Sequence, residues 1–261
     1  ATVEPADSSE TSVPEVSAQS TGDDEKEKPQ LKTTRQFATI ISGAVGSLLA
    51  LGVAVVWLQR RGAGLDDIGL DQLHITADIK WGVAGFVAAS IPVFVIQYAL
   101  VHLIPYTHPV GDIFQAQPSI AMMVATGILA VVVAPLTEEF FFRVVLQGWL
   151  EALYAARGAQ YSGSAENSNF VGSMPAAPVL IYSAGGEVSA NESRASLMPV
   201  LLSSFLFALV HLEFGPSAVP LFVFALILGY LYRQTHRLLP SLVTHACLNA
   251  LSVFIMVTSD L

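Results

Sequence analysis

Charge is scarce in this sequence. Aspartate, glutamate, lysine and arginine make up 13% of its 261 residues, against roughly a quarter in soluble domains. That scarcity excludes a water-facing exterior for most of the chain. Cysteine is nearly missing: the single Cys247 excludes an internal disulfide and leaves the redox compartment open. There is no HExxH, which excludes the common zincin arrangement, and no GxSxG, which excludes the nucleophile elbow of serine hydrolases. Internal repeats are also absent, and with them the paired discontinuous spans in matching halves that mark many transporters. The net charge of -9 comes largely from an N-terminal tail and from loops, so it points to no nucleic-acid partner and none is expected.

What is present is apolar surface, at 53% of the residues, and it lies almost entirely after residue 36. Residues 1–36 are polar and acidic and cannot bury enough surface to offset ordering entropy, so they are expected to form a disordered tail. Residues 37–118 then hold two spans, 37–58 and about 81–103, around a polar interfacial stretch at 62–80 and followed by a proline-punctuated loop. The first run is too long and begins too late for an ordinary signal peptide. Gly43, Gly46 and Ser47 give it a small-residue face that could pack closely on another helix.

Residues 119–261 form the remaining unit. Its first apolar run, 120–136, ends at "APLTEE", where Pro135 disfavours helical geometry in the residue before it and Thr137 can cap a new helix reaching about 156. A polar stretch at 157–196 reads as a loop outside the membrane, and spans follow at about 197–212, 216–233 and 238–257. The expected fold class is all-α: a polytopic transmembrane bundle of seven spans if Pro135 separates two helices, or six if it only kinks one. With seven, Lys26, Lys28, Lys32, Arg35, Arg157, Arg194, Arg233 and Arg237 share a side, opposite Arg60, Arg61 and Lys80. The positive-inside rule then puts the N-terminus in the cytoplasm; six spans break that grouping.

Against this background the stretch "TEEFFFRVVLQG", residues 137–148, carries three charges inside an apolar run. A charge at mid-bilayer costs at least about 2.5–3.5 kcal/mol, so groups retained there are usually paired or line a wet cavity. Glu139 and Arg143 are four apart, on one face, in the acid-first order that suits a salt bridge. Glu138 lies about 100° round the helix from Glu139, which leaves it free to point into a cavity. The plainer alternative keeps both acids at a helix N-terminus near the interface, with Arg143 snorkelling. Two later helices add polar groups: His211, one turn after Phe207, and His245 with Asn249 four residues on. If they converge, they can hold a water. A carboxylate would take its proton, imidazoles would orient it or bind a metal, and an amide would donate to a developing oxyanion. Cys247 sits about 200° from both His245 and Asn249 and faces away from them. His74, His102, His108 and His236 lie in loops or near span ends and read as solvated or interfacial, and Asp66, Asp67 and Asp71 as a solvated acidic face.

"EEFFFR" (138–143), "FALVH" (207–211) and "HACLN" (245–249) resemble, in order, the EExxxR, FxxxH and HxxxN motifs of the CAAX-protease and bacteriocin-processing family. These CPBP or ABI intramembrane endopeptidases include the Rce1-like proteases. The resemblance covers about residues 119–257, and each motif is short, so their order carries the specificity. It implies that Glu138 is the general base, that His211 helps activate water, and that His245 and Asn249 support the oxyanion or complete a metal site. Glu139 and Arg143 match the supporting positions. Glu138, His211 and His245 would be the ligands if a metal, most simply zinc, were used; a metal-free site fits equally. The expected function is hydrolysis of a peptide bond in a membrane-associated substrate, either a prenylated CAAX tail or a leader peptide. The partners would be that peptide or protein and the lipid bilayer, in the plasma (inner) membrane. Two alternatives stand beside it: a non-catalytic immunity or scaffold protein that keeps the polar cluster for folding, and a transporter with a proton relay.

Overall fold

The computed structural model of the chain describes residues 29–70, 74–104, 119–161 and 196–259. These form six helices and no strand among the described residues. They are α1 (Pro29–Arg60), α2 (Ile75–Leu103), a long run α3 over residues 120–161, α4 (Met198–Val210), α5 (Ala218–Thr235) and α6 (Leu238–Ser259), with 3-10 turns at Asp66–Ile68 and Leu212–Ser217. Five of the helical segments are long and apolar enough to cross a membrane, and α4 is a shorter apolar helix. The chain is an integral membrane protein.

Helix α1 starts before the expected span, so residues 29–36 are helical and not part of a disordered tail; residues 1–28 of that tail lie outside the described residues. Once a span supplies the costly nucleus, extending it through Gln30, Leu31, Lys32 and Arg35 is cheap, and Pro29 suits a first helical position. The expected external loop lies mostly in 162–195, also outside the described residues, as do Asp71 and His108.

Pro135 does not separate two spans. Helix α3 passes through it in pieces: Ile120–Ile128, a π-turn at Leu129–Val133, Ala134–Glu139, a second π segment at Phe140–Gln147, and Gly148–Tyr161. The expected cap at Thr137 is therefore not one. The Thr137 hydroxyl lies 2.9 Å from the Val133 carbonyl and 3.0 Å from that of Ala134, bonding back into its own helix. The chain thus runs as six helices, five of them long enough to span, which is nearer the six-span reading, and the grouping of basic residues that needed seven falls.

The close helix contact lies elsewhere than expected. A Cβ on Gly43 or Gly46 of α1 would meet nothing within 4 Å, whereas one on Gly82 of α2 would stand 2.6 Å from Val243 Cβ and 2.9 Å from the Pro240 carbonyl of α6. The α2–α6 contact also carries a hydroxyl bond, from Thr244 Oγ1 to the Gly82 carbonyl at 2.8 Å. Gly82→Val is expected to cost about 1–3 kcal/mol by overpacking, and Gly46→Val close to nothing, in unfolding measurements on the bilayer-reconstituted protein. Ala89, Val93, Phe224, Leu228 and Leu248 fill the space between α2, α5 and α6. At one end of the bundle Asp78, 2% exposed, receives Arg237 Nε at 2.7 and 2.8 Å. Gly69, at φ 75°, sits so close beneath the same turn that a Cβ would stand 2.6 Å from Arg237 Cα.

Candidate active site

Helix α3 brings its three charges into the bundle. Glu139 and Arg143 are both fully buried, and Arg143 Nε donates to Glu139 Oε2 at 3.1 Å. This is the i, i+4 pair that the spacing predicts, so the snorkelling alternative fails. Arg143 also reaches α4: Nη1 donates to Ser203 Oγ at 3.3 Å, and its guanidinium carbon lies 5.7 Å from the Phe207 ring centroid. Ser203 Oγ donates in turn to the Phe142 carbonyl at 3.0 Å. Nothing in the sequence singles out Ser203, a small hydroxyl in an apolar helix.

The other oxygen of Glu139 is just as engaged. Oε1 lies 2.8 Å from His245 Nδ1 on α6. A carboxylate already paired with arginine accepts only, so His245 Nδ1 carries the hydrogen. His211 occupies the C-terminal end of α4, where Gly215, at φ 58° and ψ -132°, and Pro216 turn the chain towards α5. Its Nδ1 lies 2.6 Å from the Phe207 carbonyl, and its ring stacks on Phe207 with centroids 4.4 Å apart. A carbonyl also accepts only, so this Nδ1 carries a hydrogen too. In their neutral forms both imidazoles therefore present a bare Nε2 lone pair.

Those two lone pairs face Glu138. Its Oε1 lies 3.8 Å from His211 Nε2 and its Oε2 lies 3.7 Å from His245 Nε2, with the side chain 27% exposed. An ionised carboxylate and two imidazole lone pairs are all acceptors. Such a group is complementary to a donor set among them, and a water with two O–H bonds is the smallest neutral one.

Asn249, one turn after His245, engages a different atom. Its Nδ2 donates to the Ala130 carbonyl at 2.9 Å. In an α-helix that carbonyl would take the Ala134 N–H, but the π-turn sends this N–H to Leu129. The next donor in the π pattern is residue 135, a proline with no N–H. The side chain of Asn249 thus supplies what the backbone cannot. Asn249→Ala is expected to cost about 1–3 kcal/mol by leaving the carbonyl unpaired. In a Pro135→Ala background, where position 135 gains a donor, the cost should shrink. A double-mutant cycle on unfolding free energy checks this.

Among the described residues, no three His, Cys, Asp or Glu side chains are disposed to hold a metal ion. Zinc bonds of about 2.0–2.1 Å require tetrahedral ligands about 3.3–3.4 Å apart, closer than the Glu138 oxygens stand to either Nε2. The donor types suit zinc, but at 3.7 and 3.8 Å they stand wider than a bound ion would set them, and no step below passes through a metal. Cys247 is half-buried and free. Of the histidines expected to be solvated or interfacial, His236 is 38% exposed on its side chain and lies 3.5 Å from Glu151. His102 ends α2 with Nδ1 on the Tyr98 carbonyl. Asp67 is less exposed than expected and accepts the Gly64 N–H at 2.7 Å.

Fold and site define a class: a polytopic helical membrane protein with a carboxylate and two imidazoles gathered around a partly open point in its core. Within that class, the chain belongs to the Type II CAAX prenyl endopeptidase Rce1-like family, a protease family whose profile matches residues 119–251, just over half of the chain. The matched region runs from α3 into α6 and includes all seven motif residues. Comparison with curated proteins and with solved structures gives no significant match.

Proposed function

We propose that the protein is an intramembrane endopeptidase that removes the C-terminal residues of a prenylated CAAX-type tail by attack of water, with Glu138 as general base. One observation carries this reading: Glu138 stands between two imidazoles whose Nδ1 hydrogens are already committed, so that three acceptors converge where a water would sit. The water gives one O–H to Glu138 and the other to one of the two imidazole Nε2 lone pairs, which orients it. As its oxygen bonds to the scissile carbonyl carbon, one proton passes to a Glu138 oxygen. The carbonyl oxygen becomes an oxyanion, for which the remaining amide hydrogen of Asn249 is the donor. Collapse breaks the C–N bond, and Glu138 returns the proton to the departing amine. Glu139 and Arg143 act on this step only through His245. The prenyl substrate class rests on the family to which the chain belongs.

The test is cleavage of a farnesylated CAAX peptide by the purified chain in liposomes containing oxygen-18 water. One labelled oxygen in the new carboxyl terminus is expected, with activity that survives a strong chelator. Loss on chelation with recovery on adding zinc would replace the metal-free mechanism; no cleavage of prenylated or unprenylated peptide would overturn the proteolytic reading.

A further inference from the structure

The charged motif does not end at Arg143. On the same face of α3, at four-residue spacing, follow Gln147 and Glu151, so that Glu139, Arg143, Gln147 and Glu151 form a stripe. Gln147 is fully buried. Its Nε2 donates to Glu151 Oε1 at 2.9 Å and to the Gly229 carbonyl of α5 at 2.8 Å. Glu151 Oε2 stands 3.5 Å from His236 Nδ1, at the turn between α5 and α6. The upper part of the stripe is joined by Arg143 to Glu139, and by Glu139 to His245. In an ideal helix the stripe spans roughly 18 Å.

One rung of this ladder lacks a direct bond. Arg143 Nη2 and Gln147 Oε1 are both buried and without a hydrogen-bond partner; one is a donor and the other an acceptor, on successive turns. Both side chains crowd Gly229, where a Cβ would stand 2.9 Å from Gln147 Oε1 and 3.2 Å from Arg143 Nη1. A buried donor and a buried acceptor left apart cost free energy that one shared water removes.

We infer that Gln147 and Glu151 are positioning residues, which hold the Arg143 guanidinium in place from below and so fix the Glu139 carboxylate that orients His245. The Arg143–Gln147 rung is closed by a buried water. The catalytic part of this inference rests on the proteolytic reading; the orientation of His245 does not.

The test uses the full chain in nanodiscs with nitrogen-15 histidine, the His245 signals being assigned by their loss in His245→Ala. In Gln147→Leu the population with hydrogen on His245 Nδ1 is expected to fall, and kcat on the farnesylated peptide to drop about tenfold with KM unchanged. Gln147→Glu alone sets two carboxylates against each other and should behave similarly. Gln147→Glu combined with Glu151→Gln restores a donor–acceptor pair between 147 and 151 but still sets a carboxylate oxygen against the Gly229 carbonyl, and should recover part of both signal and rate. A wild-type His245 signal in Gln147→Leu overturns the inference. So does a double variant no better than Gln147→Glu alone, which also covers the case in which the leucine variant fails to fold. If the wild-type chain leaves the peptide uncut, the proteolytic reading falls, and the His245 signal still decides the ladder.

Discussion

Glu138→Gln is expected to lower kcat by about a hundred- to ten-thousand-fold, the usual contribution of a general base, while the protein stays folded. The two halves of that expectation have separate grounds. Glutamine keeps the shape of the side chain but cannot take a proton from water. It also turns one of three converging acceptors into a donor, which would satisfy an imidazole lone pair directly and displace the water. Stability should change little, because Glu138 is partly exposed and its contacts to the imidazoles are longer than hydrogen bonds. Substitutions away from packed or paired groups usually stay within about 0.5 kcal/mol. Peptide cleavage and thermal unfolding, measured on the same reconstituted sample, check both halves. An undiminished rate would remove Glu138 as base and pass that role to another group; only a wild-type chain that cleaves nothing favours the scaffold alternative, in which the polar cluster serves folding.

Arg143→Met should do the reverse and strike stability first. Both members of its pair are fully buried, and removing one partner of a buried ion pair costs about 3–5 kcal/mol by leaving the other charge uncompensated. The side chain also holds Ser203 on α4 and lies against Phe207, so helix packing is lost along with charge balance. The double variant Glu139→Met, Arg143→Met removes both charges and should recover most of the loss. It should nevertheless be inactive, because His245 would have no acceptor at Nδ1. Denaturant unfolding of the two variants decides: a single variant no less stable than the double would show that leaving Glu139 unpaired costs nothing.

The contrast between these variants follows the division of roles that spacing alone suggests for two adjacent glutamates. The i, i+4 pair was legible because helical geometry is local. The convergence of Glu138, His211 and His245 was legible only as an expectation from polar groups in apolar helices, and the motif resemblance added order but no distances. Glu139 bonding His245 was not legible, since it joins residues 106 apart in sequence. Pro135 stayed open between break and kink because its outcome depends on a carbonyl acceptor met by Asn249 on another helix. The small-residue face of α1 misled, because glycine spacing shows that a helix can be approached closely, not that another helix does so. The Gln147–Glu151 extension continues the same four-residue period, but period alone does not show that Gln147 is buried against the Gly229 carbonyl of α5.

The π-turn at Leu129–Val133 has a consequence for the phase of α3. Each π-turn holds one residue more than the α pattern, and one residue is about 100° of rotation, the angle that separates Glu138 from Glu139. The lower part of α3 is locked in azimuth by Ser203 and Gly229. Deleting one residue from the turn would therefore rotate the other part, 120–128, and swing buried Met122 and Thr126 out of the bundle. The helix behaves as two cylinders on one axis, keyed independently: one phased to the lipid and its neighbours, the other to the imidazoles. The extra residue at Leu129–Val133 is the coupling between them, and the second π segment, Phe140–Gln147, lies within the part keyed to the imidazoles.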